Sequence, residues 1–385
     1  LFDFAVNFNL TLSQNIAMKF NRHKFSKELD TDFFKTLRKR VDAYFEENKL
    51  AKQGNKRLIL KTILNIAIFV TPYVLVISGV FTNPWLFLGL WAMMGLGMAG
   101  IGLNIMHDAN HGAYSSSKKI NKLMGLSINM LGGNANMWKM QHNVLHHTYT
   151  NIEGADYDLH GPSVLRFSPH QKKKWIHRFQ HIYAWFFYGL MTLSWVTAKD
   201  FIAAVRYKKM GLIQNRKKFV SELTQIASWK AFYYSYILVI PILILPVSPF
   251  LILIGFVILH FVTGFIFGMI FQTAHVMPTS DFPLPNKDGM IENNWAIHQL
   301  ATTSNYSPKS KLFSWFVGGL NFQIEHHLFT NISHVHYKSI SKIVSKTAKE
   351  FGIPYHSQKN FIKAIWEHIK MLRYLGTTEF KPAVA

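Results

Sequence analysis

The sequence predicts an all-α integral membrane protein: two transmembrane helical hairpins, four spans in all, under a helical cytoplasmic cap that carries a metal site. Three observations predict it. Residues 62–106 and 231–271 contain no Asp, Glu, Lys or Arg. All 42 Lys and Arg lie outside those stretches. Histidines recur at helical spacing just beyond them.

The first residues, "LFDFAVNFN", show no charged region leading into an apolar stretch and a cleavage site, so no signal peptide is expected. Residues 1–61 read as a basic cytoplasmic leader. Each charge-free stretch is broken near its middle by a turn signal, "TNP" at 82–84 and "PVSP" at 246–249. Each half approaches the roughly 20 residues that about 30 Å of hydrocarbon requires. The spacing predicts helices over 62–81, 84–106, 229–246 and 250–272, so that 62–106 and 229–272 form the two hairpins. Lys and Arg number 13 in residues 1–61, 17 in 107–230 and 12 in 273–385. The positive-inside rule therefore puts 1–61, 107–228 and 273–385 in the cytoplasm. The apolar stretch at 182–198 would invert the last segment if it spanned. It is read instead as an interfacial helix with Trp185, Tyr188 and Trp195 at headgroup level.

Composition excludes several classes. There is no cysteine, hence no disulfide, thiolate metal site or Cys nucleophile. The net charge of +22 suits an anionic membrane face or an acidic partner. The basic residues flank apolar runs, which argues against nucleic acid.

Candidate site residues fall in three clusters. In "HDANH", His107 and His111 share a helical face and can reach one metal. In "HNVLHH", His142 and His146 share a face, while His147 lies about 100° further round. One metal does not need that third residue; a site with two metals does. In "QIEHH", Gln323, His326 and His327 share a face. The alternative for each is a set of polar residues at the membrane surface. His275 ends the fourth helix as His107 ends the second, and is a further candidate ligand. Asp108, Asp156, Asp158, His298 and Glu325 are candidate orienters, because a ligating His passes its other N–H to a neighbour. His260 lies inside the fourth helix and is expected to face another helix. His160, His170, His177, His181, His334, His336, His356 and His368 show no spacing logic and are expected at the surface.

These clusters, in this order around two hydrophobic hairpins, resemble the three histidine boxes of the integral-membrane fatty acid desaturases. "NFQIEHHLF", with Gln at the head of the third box, resembles the front-end and acyl-lipid branch, which includes linoleoyl-CoA-type enzymes. The resemblance runs from about residue 60 to 335. It implies a centre of two iron ions, O2 as co-substrate and a fatty acyl substrate on CoA or a lipid. Carried over by position, the ligands are His107, His111, His142, His146, His147, His275, His326 and His327, with Gln323 binding directly or through water. No His-Pro-Gly-Gly motif of a fused cytochrome b5 domain occurs, so a separate ferredoxin or cytochrome b5-like donor with its reductase is expected. A bacterial inner membrane is favoured over the endoplasmic reticulum. The alternatives are a related di-iron hydroxylase or oxygenase and, more remotely, a metal transporter or zinc lipid hydrolase.

Overall fold

The computed structural model describes residues 22–26 and 32–379. Residues 1–21 and 27–31 of the expected N-terminal leader therefore lie outside the described residues. Those described are mostly helical. Their sheet amounts to two parallel ladders of two residues per strand, Lys24–Phe25 with Met290–Ile291 and Asn305–Tyr306 with Ser357–Gln358.

The helices that position the site are α1 (Phe33–Glu47), α2 (Lys56–Ile77), α3 (Pro84–Asn110), α4 (135–149), α5 (Gln180–Gly189), α6 (Asp200–Lys209), α7 (Arg216–Ile244), α8 (Pro249–His275), α9 (Trp295–Ala301), α10 (Gln323–Leu328), α11 (Tyr337–Glu350) and α12 (Phe361–Thr377). Four of them, α2, α3, α7 and α8, are long and apolar enough to cross a membrane. Both turn signals become helix starts of one chemistry. Asn83 and Ser248 cap α3 and α8 through their side chains, each followed by a proline in the first helical position.

The helix limits differ from the expected ones. α2 starts at Lys56 rather than 62, and α7 at Arg216 rather than 229. Counting charge-free residues finds only the part of a helix that lipid would bathe, and both helices continue into polar surroundings. Lys61 is buried, with Nζ 3.0 Å from Nε2 of His334. α2 buries Thr62 and Asn65 alongside Leu58, Phe69 and Val76, and it exposes Leu60, Ile63 and Val74. An apolar outer face suits an apolar solvent. Small residues let the membrane helices approach closely. A Cβ on Gly97 would fall 2.5 Å from the backbone of Phe69 in α2, and one on Gly255 would strike Trp91 in α3. Thr263 of α8 donates to the Gly95 carbonyl of α3.

Residues 182–198 do not make one helix. α5 ends at Gly189, and Met191–Ser194 leads into a wide π turn over Trp195–Lys199. α5 packs on α8, with Gly264 against the Gly189 carbonyl. Tyr188, expected at headgroup level, is instead buried and bonded through its hydroxyl to His368.

Beyond the apolar helices, a second core forms where α1 lays Phe33, Leu37, Val41 and Phe45, spaced four apart, against α9, α10 and α11. Four histidines expected at the surface are buried. His177 bonds the Ser163 carbonyl, His336 the Gln53 carbonyl, His368 Tyr188 and the Val276 carbonyl, and His334 Asp108. Their partners are distant in sequence, where spacing carries no signal. His260 is buried and bonds Tyr233 of α7.

Candidate metal centre

Four elements bring the eight histidines together. α3 delivers His107, and His111 closes its last turn. α4 carries His142, His146 and His147. His275 is the last residue of α8, and α10 carries His326 and His327.

The ring nitrogens sort into two adjoining groups. One nitrogen each from His107, His111, His142 and His326 lies within 4.8 Å of the others, and the same holds for His146, His275 and His327. His147 joins the two, since its nitrogen meets that criterion with both His326 and His327. The backbone explains how it gets there. α4 widens into a π turn over Met140–His146, and the His147 N–H bonds the carbonyl of His142, five residues back. The wider turn moves His147 onto the side of His142, with their Nε2 atoms 3.1 Å apart. In a regular α-helix the two would diverge. A second π turn, Gly102–Met106, immediately precedes His107. Such turns recur at functional sites.

Hydrogen bonds from behind fix several rings. Asp156 Oδ2 lies 3.0 Å from His146 Nδ1 and accepts from the Asn151 backbone N–H, while Asp156 Oδ1 accepts from the Asp158 backbone N–H. Gln299 Oε1 lies 2.8 Å from His327 Nδ1. The Thr302 carbonyl faces His275 Nδ1 at 3.3 Å, and the Tyr337 hydroxyl faces His326 Nδ1 at 3.2 Å. The opposite nitrogens, Nε2 of His275, His326 and His327, are buried without a partner, as is Nε2 of His111.

A buried nitrogen lone pair left unpaired is costly. Protonation does not relieve it. Burial, reinforced by repulsion from neighbouring imidazoles, holds His111, His142, His147, His326 and His327 well below the usual imidazole range. His146 differs: burial lowers it, but attraction and hydrogen bonding to Asp156 outweigh burial and raise it. Neutral imidazoles with lone pairs converging on one space fit a metal site, and all-nitrogen donor sets suit iron, copper, nickel or zinc.

The other expected residues divide. Asp158 is half-exposed, with its carboxylate 3.5 Å from His146 and bonded to Gln141. Asp108 bonds Ser333 and His334 and is also within hydrogen-bonding range of His107. Glu325, expected to orient a histidine, instead accepts from Asn305 and Tyr355, and burial pushes its carboxyl up to about 7. His298 is buried against Phe25 with the Thr150 backbone beside its ring, and burial lowers it to about 4. The Gln323 amide nitrogen is buried and unpaired, within interaction range of His275. Sequence reasoning missed Gln299, Tyr337 and Trp138. Only Trp138 left a trace, one helical turn before His142.

The Trp138 ring lies 4.4 Å from that of His142, 5.7 Å from His107 and 5.6 Å from His111. Trp138 also packs against the cluster of Met106, Ile128 and Ala135. Met106 and Ile128 also line a narrow apolar cavity with Met98, Leu131, Val196 and Phe267. The histidines and an apolar cavity are thus one side chain apart.

Comparison with known proteins agrees with this geometry. Residues 83–359 match the family model described as fatty acid desaturase. The chain is 36% identical over 355 residues to an acyl-lipid (8-3)-desaturase of Physcomitrium patens, covering 91% of this chain and 73% of that protein. It is 34% identical to an sn-1 linoleoyl-lipid 6-desaturase of Arthrospira platensis, covering 89% and 92%. With a Synechocystis protein of the same name it shares 33%, covering 92% and 98%. A helical chain with four membrane-length helices, a convergent histidine centre and this extent of similarity belongs to the fatty acid desaturase family, and its activity is that of a membrane oxidoreductase acting on fatty acyl chains.

Proposed function

We propose that the chain desaturates the acyl chain of a membrane lipid at a centre of two iron ions, with O2 as oxidant and electrons from an acidic carrier protein. The observation that carries this reading is the pair of adjoining all-imidazole groups with His147 between them. His107, His111, His142 and His326 would hold one ion, and His146, His275 and His327 the other. His147 lies within reach of both, and Gln323 is a further candidate beside His275. Iron held there would activate O2 for the oxidation that an unactivated methylene demands, since such a carbon has neither an acidic proton nor a leaving group. The reaction balances as –CH2–CH2– + O2 + 2 electrons + 2 protons → –CH=CH– + 2 water.

The chain's own residues do the rest. Asp156, Gln299, the Thr302 carbonyl and Tyr337 fix ring orientation and tautomer, so that the free lone pairs point inward. Trp138, Met106 and Ile128 bring the apolar cavity up to the histidines and exclude water. The linoleoyl-lipid and acyl-lipid names of the relatives favour a lipid-linked substrate over an acyl-CoA.

Expression in a host of known lipid composition, with products read by gas chromatography–mass spectrometry, should reveal new double bonds. The purified chain should hold two iron atoms. One zinc and no iron would end this reading, and hydroxylated products without new double bonds would favour the related oxygenases.

The membrane arrangement belongs to the same proposal. Segments 62–106 and 229–272 form hairpins, while 1–61, 107–228 and 273–385 lie on the cytoplasmic side of a bacterial inner membrane. The chain lacks cysteine, so single cysteines report cleanly. An impermeant thiol reagent added to intact cells should label a cysteine at 83 or 248 and spare one at 290. Labelling at 290 would mean that 182–198 crosses the membrane.

A further inference from the structure

α1 carries outward charges that no close ion pair ties to the fold among the described residues. Its buried stripe faces the second core, yet Lys35, Arg38 and Lys39 point outward in its N-terminal half, and Asp42, Glu46 and Glu47 follow in its C-terminal half. That order opposes the helix dipole, which favours acidic residues at the start and basic ones at the end. Arg40 and Asp42 are engaged, with Glu350 at 2.6 Å and Lys52 at 2.6 Å. Arg38 and Lys39 form no ion pair among the described residues, and Lys35 lies only loosely beside Asp32, at 3.9 Å. Together with Phe34, Asp42, Ala43 and Glu46, they line a surface depression whose basic side chains come from the N-terminal half of α1 and whose acidic ones come from the C-terminal half.

A continuous path leads inward from this depression. The Arg38 guanidinium sits 4.8 Å over the ring of half-buried Phe34. Phe34 meets half-buried Trp295 edge to face, with centroids 5.4 Å apart. The Trp295 indole N–H donates to the backbone carbonyl of His147 at 3.1 Å. His147 is the residue that joins the two imidazole groups. Of the features described, this is where a cationic surface, two aromatic rings and a hydrogen bond run unbroken to the histidine centre.

We infer that the basic end of α1 docks an acidic one-electron carrier protein, and that Phe34 and Trp295 connect that surface to His147. The inference rests on the proposed iron centre, which needs two electrons per double bond. The carrier supplies them singly: one reduced carrier becomes oxidised for each electron passed, and two are consumed per turnover. Lys35, Arg38 and Lys39 steer the carrier through long-range attraction, a contribution that salt screens. Trp295 is a positioning and conducting residue, not a ligand.

The test uses the full chain, loaded with iron, in nanodiscs. Plant-type ferredoxin and the haem domain of cytochrome b5 serve in parallel as acidic carriers. With at least one of them, Arg38→Glu/Lys39→Glu should weaken binding roughly tenfold at low salt, with the difference shrinking at high salt. Lys118→Glu/Lys119→Glu, an equal charge change on another exposed turn, should stay within about twofold of the parent. Trp295→Phe should leave carrier affinity and iron content unchanged while slowing reduction of the centre in a single-turnover experiment. Equal loss in both charge variants, no loss in either, or binding of neither carrier would overturn the docking surface. An unaltered reduction rate in Trp295→Phe would overturn the route. Absence of iron from the parent chain would sink the proposed centre, and the affinity ranking of the charge variants would still be readable.

Discussion

The His147→Ala chain should fold, insert and lose desaturation by more than about 100-fold, with iron content falling at the same time. Residues that merely orient a ligand are worth about 10–100-fold in affinity or activity, so loss of a side chain facing both groups should exceed that. His147 is the sharpest test because its place depends on the π turn. Were α4 a regular helix, the ring would point elsewhere and its removal would be mild. His107→Ala, His275→Ala and His326→Ala should behave like His147→Ala. The controls must be chosen from the structure. His356 and His181 are part-exposed, and their alanine variants should keep iron and activity. His177 and His368 are poor controls, because each is buried and bonded, and leaving their partners unsatisfied costs about 1–3 kcal/mol of stability. Full activity with iron retained in His147→Ala would remove His147 from the centre.

The chain's sequence states parts of this plainly and others not at all. Asn83-Pro84 and Ser248-Pro249 are legible as helix starts because capping and proline chemistry are local. The clustered histidines are legible for the same reason: spacing of four residues puts two side chains on one face whatever surrounds them. The N-terminal extent of α2 and α7 is not, since a lipid-facing helix can continue into polar surroundings without any change in its helical signal. Gln299 and Tyr337 are ordinary residues until the fold sets them behind His327 and His326. Asp156 was foreseeable, ten residues after His146 in a loop that returns to it. Glu325 looked equivalent, adjacent to His326, yet its side chain points to Asn305 and Tyr355. Adjacency on a helix sends neighbouring side chains in different directions. His147 is the instructive case. Counting at 100° per residue made it an outlier needing a wider site, whereas the π turn brings its ring to within 4.5 Å of the His142 ring.

The second large effect concerns the acyl chain. Ile128 is buried, lines the apolar cavity, and packs with Met106 and Ala135 against Trp138, whose ring contacts three histidines. A methylene must rest at a fixed depth beside the centre, and a displacement of about 1 Å can cost on the order of 100-fold in rate. Ile128→Trp adds an indole to a cavity already narrow. Iron content should be unchanged, because Ile128 packs against Trp138, and it is Trp138 that meets the histidine rings. Desaturation of long acyl chains should fall about 100-fold, and shorter chains should suffer less. Overpacking can also unfold a helix cluster, so Ile128→Ala serves as the opposing variant. It widens the same space, should cost about 2–5 kcal/mol of stability at most, and should retain activity while admitting bulkier chains or blurring the double-bond position. Iron content and thermal unfolding, measured on both variants, separate a blocked cavity from a damaged fold. If Ile128→Trp holds iron and desaturates long chains at the parent rate and position, the acyl chain does not enter by this cavity. Trp138 would then wall off the centre from a space the substrate never visits.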